Sequence, residues 1–553
     1  MFRAPSSLSR RAFLSATAAV LARPSLGRAQ PREALYNGIV LARPWPPRRV
    51  TTAHLPQRPP YLANPPAVIP IDIGRQLFVD DFLIEESTLY RRHYAASYHP
   101  GNPLLRPTEN WERHDPYSAI TGTSPSQSAM VYSDGVFYDP ADRLLKMWYM
   151  GGYQQHTALA VSDDGIEWRR PALDVVPGTN IVMKHHRDAS TVWLDHDAPD
   201  PRARFKMAVY DFGVKAMRLH QSPDGVHWRD LGIAGPCGDR STMFRNPFRG
   251  VWGFSLRADE PGTLNRVRHY AESTEFAAGQ WRAGDPVPWV GADLSDIPRA
   301  DLNTQPQLYN LDAVAYESLM LGLFTIYRGE KPVREKPNDL CVAFSRDGFH
   351  WSRPWTEPFI PVSEQQGDWN WSNVQSAGGV CTIVGDRLHF YVSGRRGVPG
   401  TDLPGECSTG LATLRRDGFA SVGDAWPSRA PRPVAARGAT LTTRPVRFSG
   451  QHLFVNAIVD HSLRVEVLDV AGRVIAPFSL DQSIPVTGDG TRLPVRWRTR
   501  DTLGPLAGQD VRFRFSMAGA RLFAFWVSPA ATGHSRGYVA AGGPGYAKSR
   551  DDH

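Results

Sequence analysis

Cysteine is scarce and scattered. Cys237, Cys341, Cys381 and Cys407 stand far apart with no Cys-x-x-Cys pair. That excludes zinc-ribbon and redox-motif spacings, leaves a disulfide neither required nor implied, and makes buried free thiols the plainer reading. Long apolar runs are missing as well. The stretch from Ala12 to Leu21 near the N-terminus is too short to cross a membrane and stay there, so no stable membrane span is expected. No basic run with interleaved aromatics occurs, which removes the usual footprint of a nucleic-acid partner. A phosphate-binding glycine loop, a metal-ligand motif and a Ser-His-Asp spacing are likewise absent. No metal and no other cofactor is expected. Nothing in the pattern speaks to oligomeric state.

What the chain does contain is a repeat. SDDGIEW (162–168) returns as SPDGVHW (222–228) and SRDGFHW (345–351). Trp168 and Trp228 are 60 residues apart, and Trp228 and Trp351 are 123 apart, about twice as far. A missing copy is therefore expected near residue 285, where STEFAAGQW (273–281) fills the slot without Asp-Gly, and RRDGFASV, starting at Arg415, is a decayed fifth copy. Repeats of this length mean a repeat architecture. Within the first unit, SAMVYSDGVFYD reads as an apolar run with an Asp-Gly turn, followed by LLKMWYMGG, TALAVS and the repeated turn. Short β-branched and aromatic runs separated by Asp, Gly and Pro are strands in hairpins. Four strands per unit, arranged radially, make a β-propeller blade. The Ser-x-Asp-Gly-x-x-Trp turn is then scaffold: Asp accepts from the turn backbone, Gly takes positive φ, and Trp fills the gap to a neighbouring blade.

With 553 residues and 41% hydrophobic content, two cores are expected. The fold class is all-β: a five-bladed β-propeller over 73–422, a linker over 423–440 and a C-terminal β-sandwich over 441–528. The strands HLFVNAIV, LRVEVLDV, VRWRT, VRFRFSM and RLFAFWVS carry the sandwich, and alternation puts Val511, Phe513 and Phe515 on one face. A Pro-rich stretch over 30–72 reads as extended and wrapped on the surface, and IDIGRQLFVDDFLIEES (71–87) as strand and turn leading into the first blade. Residues 529–553, rich in Gly, Ser and charge, read as a disordered tail. The start, with Ser9-Arg10-Arg11-Ala12-Phe13-Leu14 before an apolar stretch and small residues, resembles a twin-arginine export signal at 1–29; an ordinary secretory signal is the alternative. The resemblance implies the twin-arginine machinery as partner and a periplasmic or secreted location. Removing 1–29 takes away five arginines and no acid, so the formal charge falls from +8 to +3.

In a propeller, the first strand of each blade lines the axis, so residues just ahead of those strands converge. HHRDASTVW (185–193) and GDRSTMF (238–244) head blades two and three, and each puts an aspartate beside an arginine. Asp188 and Asp239 are 51 residues apart, close to one blade. Two carboxylates facing one pocket suit acid/base work on a glycosidic bond. Arg187 and Arg240 hold one ionised while like charge raises the other; alternatively each Asp only pairs with its arginine. Blade four adds Gln307, Tyr309, Asn310 and Asp312, and blade five Trp369, Asn370, Trp371 and Arg395. Aromatic faces and amides suit sugar rings and their hydroxyls. Adjacent His185 and His186 point to opposite sides of a strand and do not share a metal.

Five blades followed by a β-sandwich, with this turn repeated, resemble the invertase, levanase and arabinanase type of glycoside hydrolase (glycosyl hydrolase families 32 and 43). The resemblance implies a hydrolase and a carbohydrate substrate. Arg187-Asp188-Ala189 stands where that group carries Arg-Asp-Pro, which implies for Asp188 the transition-state-stabilising role. The group's Asn-Asp-Pro-Asn-Gly is missing: Ser124-Pro125-Ser126-Gln127 fills the slot, with His114-Asp115-Pro116 upstream, so Asp115 is a further candidate. Its Glu-Cys pair is not found at blade three, where Asp239 stands instead. The expected function is an exported glycoside hydrolase using Asp188 and Asp239, with Asp312 or Asp115 as a third acid. The alternatives are a carbohydrate-binding or interaction propeller without turnover and, more weakly, a sialidase.

Overall fold

The computed structural model describes residues 33–48, 55–115, 126–260, 265–302, 304–329, 334–424 and 439–552. The expected signal at 1–29 and residues 425–438 of the expected linker lie outside these. Five sheets form a ring of blades. Blade one contains Ala129–Asp139, Leu144–Gly151, His156–Ser162 and Ile181–Met183. Blade two contains Ser190–Leu194, Phe205–Asp211, Ala216–Ser222 and Arg229–Pro236. Blade three contains Thr242–Asn246, Val251–Asp259, Arg266–Ser273 and Val287–Val290. Blade four is built on Gln307–Glu317, Leu319–Tyr327 and Asn338–Ser345, with an outer bridge from Leu340 to Ile360. Blade five contains Asn373–Ser376, Arg387–Arg395 and Cys407–Arg415. Its outer strand is Ser97–Tyr98, which pairs with Thr413 and Ala412. The segment ahead of blade one thus completes the last blade, and the ring closes by hydrogen bonds that leave no exposed edge there.

The repeated turn is scaffold, as its composition implies. Ser162 Oγ accepts from Gly165 N at 2.8 Å, while Asp164 Oδ1 accepts from Ile166 N and Glu167 N. Ser222 with Asp224, and Ser345 with Asp347, repeat the arrangement. Each turn also docks on the preceding blade. The Gly165 carbonyl accepts from Tyr391 of blade five, the Gly225 carbonyl from Trp148 of blade one, and the Phe349 carbonyl from Trp289 of blade three. The degenerate blade-three copy keeps its tryptophan: Trp281 is buried and donates to the Pro236 carbonyl of blade two at 2.9 Å.

The second unit is a ten-stranded sheet around a separate core. Its spine is a pair of long antiparallel strands, His452–Asp469 and Val511–Ser528. Val511, Phe513 and Phe515 are buried on one face as the alternation requires. Three expectations need correction here. Residues 71–87 do not lead into a blade: Gln76–Leu77 pairs with Phe525 and Ala524, and Ile84–Ser87 with the strand Ala439–Thr443. Ala420–Gly423, at the end of the expected propeller, pairs with Leu522 and Arg521 of the same sheet. The propeller's own strands therefore run from Ser97 to Arg415. The reason is that a short apolar strand carries no label for its partner, and the open edges of the long spine take these.

Residues 529–552 are not a disordered tail. Tyr538–Val539 pairs with Glu317 and Tyr316, Ala541 exchanges backbone hydrogen bonds with Tyr138 and Cys381, and Gly542 accepts from Ile383 N. The tail crosses the far ends of blades one, four and five. Its glycines, which read as disorder, allow close backbone approach: a Cβ on Gly543 would collide with the Ile383 carbonyl, and one on Gly537 with the Glu317 carboxylate.

The turn glycines generate a stability test. Gly225 has φ +80°, and a Cβ there would lie 2.5 Å from the Trp148 ring. Gly178 has the same φ of +80° with nothing within 4 Å. Gly178→Ala should show backbone strain alone, about 1–2 kcal/mol. Gly225→Ala should cost about 1–3 kcal/mol more because the ring must move. Unfolding midpoints of the two variants measure the difference; equal losses would show that the turn does not bear on its neighbour.

Candidate active site

The site is organised by an irregularity in the first strand of blade one. Pairing between Ala129–Asp139 and Leu144–Gly151 slips between Met130 and Gly135, and Tyr132 and Ser133 take φ of 34° and 67°. The Asp134-Gly135 pair, expected as a hairpin turn, is therefore a bulge inside one strand. Left-handed backbone at non-glycine residues is strained and persists only where the surroundings enforce it. The bulge brings Tyr132, Ser133 and Asp134 into the axial cluster.

Asp188, at the head of blade two, is buried. It accepts from Tyr132 Oη at 3.1 Å and from Gln154 Nε2 at 3.5 Å. Burial raises its carboxyl above the ordinary range, and the nearby charge of Asp239 adds to the rise, against Arg240 and Arg395. Asp239 has a different environment. Its side chain is 45% exposed, with Arg257 Nη1 at 3.2 Å, and its carbonyl accepts from Ala189 N at 3.4 Å. The structure thus joins the heads of blades two and three. Asp312 lies inside the cluster, accepting from Ser376 Oγ at 2.5 Å, Asn310 Nδ2 at 2.8 Å and Ser133 Oγ at 3.3 Å. Burial pushes it up to about 6. Asp115 is buried and accepts from Ser126 N at 2.6 Å; Pro116, Ser124 and Pro125 lie outside the described residues.

The other expected residues divide sharply. Arg240 is in the cluster, with its guanidinium 4.0 Å from the Tyr132 ring centre and Nη2 donating to Ser133 Oγ at 3.1 Å. Arg395 lies 5.4 Å from the same ring and pairs with the buried Glu335 at 3.0 Å. Tyr309 is buried and stacked on Tyr327 at 5.9 Å, and Gln307 Oε1 accepts from Arg266. Arg187 faces inward to the scaffold, bonding Asp134 Oδ2 at 2.8 Å, Thr157 Oγ1 at 2.9 Å and the Asp188 carbonyl at 2.9 Å. Its donors are engaged by protein, so it positions the loop and does not face a ligand. Trp369 is not at the axis: it contacts Tyr98 of the outer strand and packs on Gly394 and Gly410 of blade five. Asn370 is buried beside Tyr98, and Trp371 is buried with Arg334 over its ring at 5.4 Å. In these three the packing of blade five prevails over the sugar-binding expectation. His186 stacks on Phe212 while His185 faces Thr157; both lie in the loop between Ile181–Met183 and Ser190–Leu194, not on the strand expected of them. Among the described residues, no group of three His, Cys, Asp or Glu side chains is arranged to hold a metal.

Sequence reasoning missed Tyr132, Ser133, Asp134 and Glu335. A Tyr-Ser-Asp-Gly phrase inside an otherwise apolar strand was the available signal for the first three. Glu335 sits in a loop, and only its pairing with Arg395 marks it. The cluster is enclosed, with Asp239 as its exposed member. A cavity of about 460 Å³ lies instead between blades two and three beside the C-terminal tail.

No family model matches the chain, and no curated protein does. Among solved structures the chain is similar to a thermostable family-43 glycoside hydrolase at 13% identity and a TM-score of 0.38, covering 54% of this chain and 96% of that one. It is similar to an exo-β-1,3-galactanase from Phanerochaete chrysosporium at 10% identity and a TM-score of 0.33, covering 79% and 99%. An N-acetylgalactosamine deacetylase from F. plautii gives 14% identity and a TM-score of 0.37, covering 57% and 97%. The assignment of the fold rests on the sheets described above.

Two titrations follow from these environments. Removing the charge of Asp239 by Asp239→Asn should lower the Asp188 pKa, since that charge raises it; carboxyl-carbon NMR checks the direction. Asp312 has a folded pKa of about 6 against 3.8. Its contribution to stability is therefore present at low pH and lost as pH rises through about 6. Asp312→Asn cannot ionise, so its cost should be roughly 2–3 kcal/mol smaller at pH 8 than at pH 4. A pH-independent cost would mean that Asp312 ionises as easily folded as unfolded.

Proposed function

We propose that this chain is an exported glycoside hydrolase that cleaves a poly- or oligosaccharide at the axial mouth of the propeller. The observation that carries this reading is the pairing of Asp188 and Asp239. They come from adjacent blades, lie close enough for one charge to act on the other, and occupy opposite environments. Asp188, whose carboxyl is raised above the ordinary range by burial and by the charge of Asp239, serves as general acid to the leaving oxygen. Asp239, half exposed beside Arg257, is its partner on the other side of the scissile bond. Tyr132 and Gln154 hold the Asp188 carboxyl in place, and Asp312, hydrogen-bonded by Ser376, Asn310 and Ser133, supports the strand heads behind it. Blades of rigid strands fix these groups before substrate arrives, which is how electrostatic catalysis avoids reorganisation.

A carbohydrate-binding propeller without turnover is better served by an open aromatic platform; the partly buried Trp369 edge-on to Tyr98 and the buried Trp371 beside Arg334 speak for the hydrolase reading instead. The twin-arginine pattern from Ser9 to Leu14 supports export of the folded chain to the periplasm or beyond.

Asp188→Asn and Asp239→Asn should each lower kcat by about 10²–10⁴-fold, the usual weight of general acid–base help, with melting behaviour nearly unchanged. Reducing-sugar release from a panel of oligosaccharides measures it. Full activity in either variant would remove that residue from the mechanism.

A further inference from the structure

The axial cluster buries arginine donors for which the fold supplies no partner. Four arginines there are almost wholly buried: Arg187, Arg240, Arg268 and Arg395. Two are neutralised at close range, Arg187 by Asp134 at 2.8 Å and Arg395 by Glu335 at 3.0 Å. Arg268 spends its donors on Ser255 and on the carbonyls of Tyr309 and Arg240. Arg240 differs from all three. Among the described residues no carboxylate lies within ion-pair distance of it, one nitrogen donates to Ser133, and its Nε and Nη1 have no hydrogen-bond partner. Its guanidinium lies on the face of Tyr132, whose hydroxyl donates to Asp188. Arg395 Nε, near the same ring, is also unpartnered. Asp188 and Asp312 act on the charge of Arg240, but its buried N–H donors are left without a partner, which is costly to a fold, and they stand immediately after the exposed Asp239.

We propose that the axial mouth beside Asp239 selects a sugar bearing an anionic group, a carboxylate or a sulfate, and that Arg240 reads that group. This rests on the carbohydrate reading above and adds the substrate's charge to it. A hydroxyl of a neutral sugar accepts from one N–H at a time, whereas a planar or tetrahedral anion accepts from two donors of the rigid arginine fork at once. The placement also couples binding to chemistry. Asp188 already feels the charge of Arg240 as a lowering influence. An anion bound on Arg240 offsets that influence and keeps the Asp188 proton in place for transfer.

The test measures binding by calorimetry with the full chain carrying Asp188→Asn, so that turnover does not intervene. Three probes are compared: a uronic-acid trisaccharide, a sulfated galactose trisaccharide and neutral galactotriose. At least one anionic probe should bind about tenfold or more tightly than galactotriose, the weight of one hydrogen bond to a charged group. Which anionic probe is preferred identifies carboxylate or sulfate. Adding Arg240→Gln should abolish the preference while changing galactotriose affinity by less than about threefold. If that variant does not fold, Arg240→Lys serves instead: it keeps the charge, loses the fork and should retain part of the preference. Equal binding of the three probes, tighter binding of the neutral one, no binding of any, or a preference that survives loss of Arg240 overturns the proposal. Asp188-dependent cleavage of neutral glycans alone would sink the anionic selection and leave the hydrolase standing. Selective anionic binding without turnover by the unmodified chain would do the reverse.

Discussion

Ring closure is the constraint on which everything else in this molecule depends. A blade is a small sheet with two exposed faces and two edges, and it is stable only when flanked on both sides. Here the flanks are joined by hydrogen bonds from one blade into the turn of the next: Tyr391 to Gly165, Trp148 to Gly225, and Trp289 to Phe349. Trp281 joins blade three to the Pro236 carbonyl of blade two, and the segment around Ser97–Tyr98, which completes blade five, donates to the Phe359 and Pro361 carbonyls of blade four. Once the ring is closed, the heads of the innermost strands have no freedom but to meet. Asp188, Asp239, Arg240, Asn310 and Ser376 become neighbours because the circle brings them together, although almost 190 residues of chain separate the first from the last.

A buried charge cluster fixes the ring to the second unit. Arg75, from the N-terminal segment, pairs with Asp417 at 2.9 Å and Glu317 at 3.4 Å, and lies 4.3 Å from the Trp526 ring centre. Arg416 binds Glu317 at 2.9 Å, and Ser535 of the tail donates to the same carboxylate. Every partner is almost fully enclosed, so removing one leaves an uncompensated charge, which is far more damaging than the pair is stabilising. Asp417 belongs to the decayed fifth copy of the repeated turn. Its aspartate survives at the junction between the two units, where it accepts from Tyr316 and Asn456.

The far end of the ring and its mouth are treated oppositely. At the far end, the tail covers strand ends with backbone hydrogen bonds and glycine contacts, closing over the buried Glu317–Arg416 pair. At the mouth lie left-handed Tyr132 and Ser133, carboxyls raised by burial, and guanidinium donors that find no partner among the described residues. Such features persist only where the scaffold around them is over-determined. What sets the mouth apart is a half-exposed carboxylate, Asp239, beside the buried and raised Asp188.

The sequence by itself determined what depends on local rules. The Ser-x-Asp-Gly spacing, the period of about sixty residues and the alternation in VRFRFSM follow from turn geometry and from side chains that point to alternate faces. They were enough for the all-β class, the five blades and the scaffold role of the turn. Asp188 and Asp239 were legible because each heads an innermost strand, a position that period alone defines. Tertiary structure decided what depends on partners distant in sequence. Short strands such as Gln76–Leu77, Ile84–Ser87 and Ser97–Tyr98 have the same composition whichever edge they join. Gly-rich residues 529–552 read as disorder until a surface is present for close approach. Trp369 and Trp371 carry the same ring whether it faces a sugar or a blade core. Whether Arg187 or Arg240 finds a carboxylate at ion-pair distance is also decided by the ring: one meets Asp134 across a bulge, and the other meets none that close among the described residues. Burial and pairing are properties of the whole fold, because they depend on which distant side chains arrive at the same place.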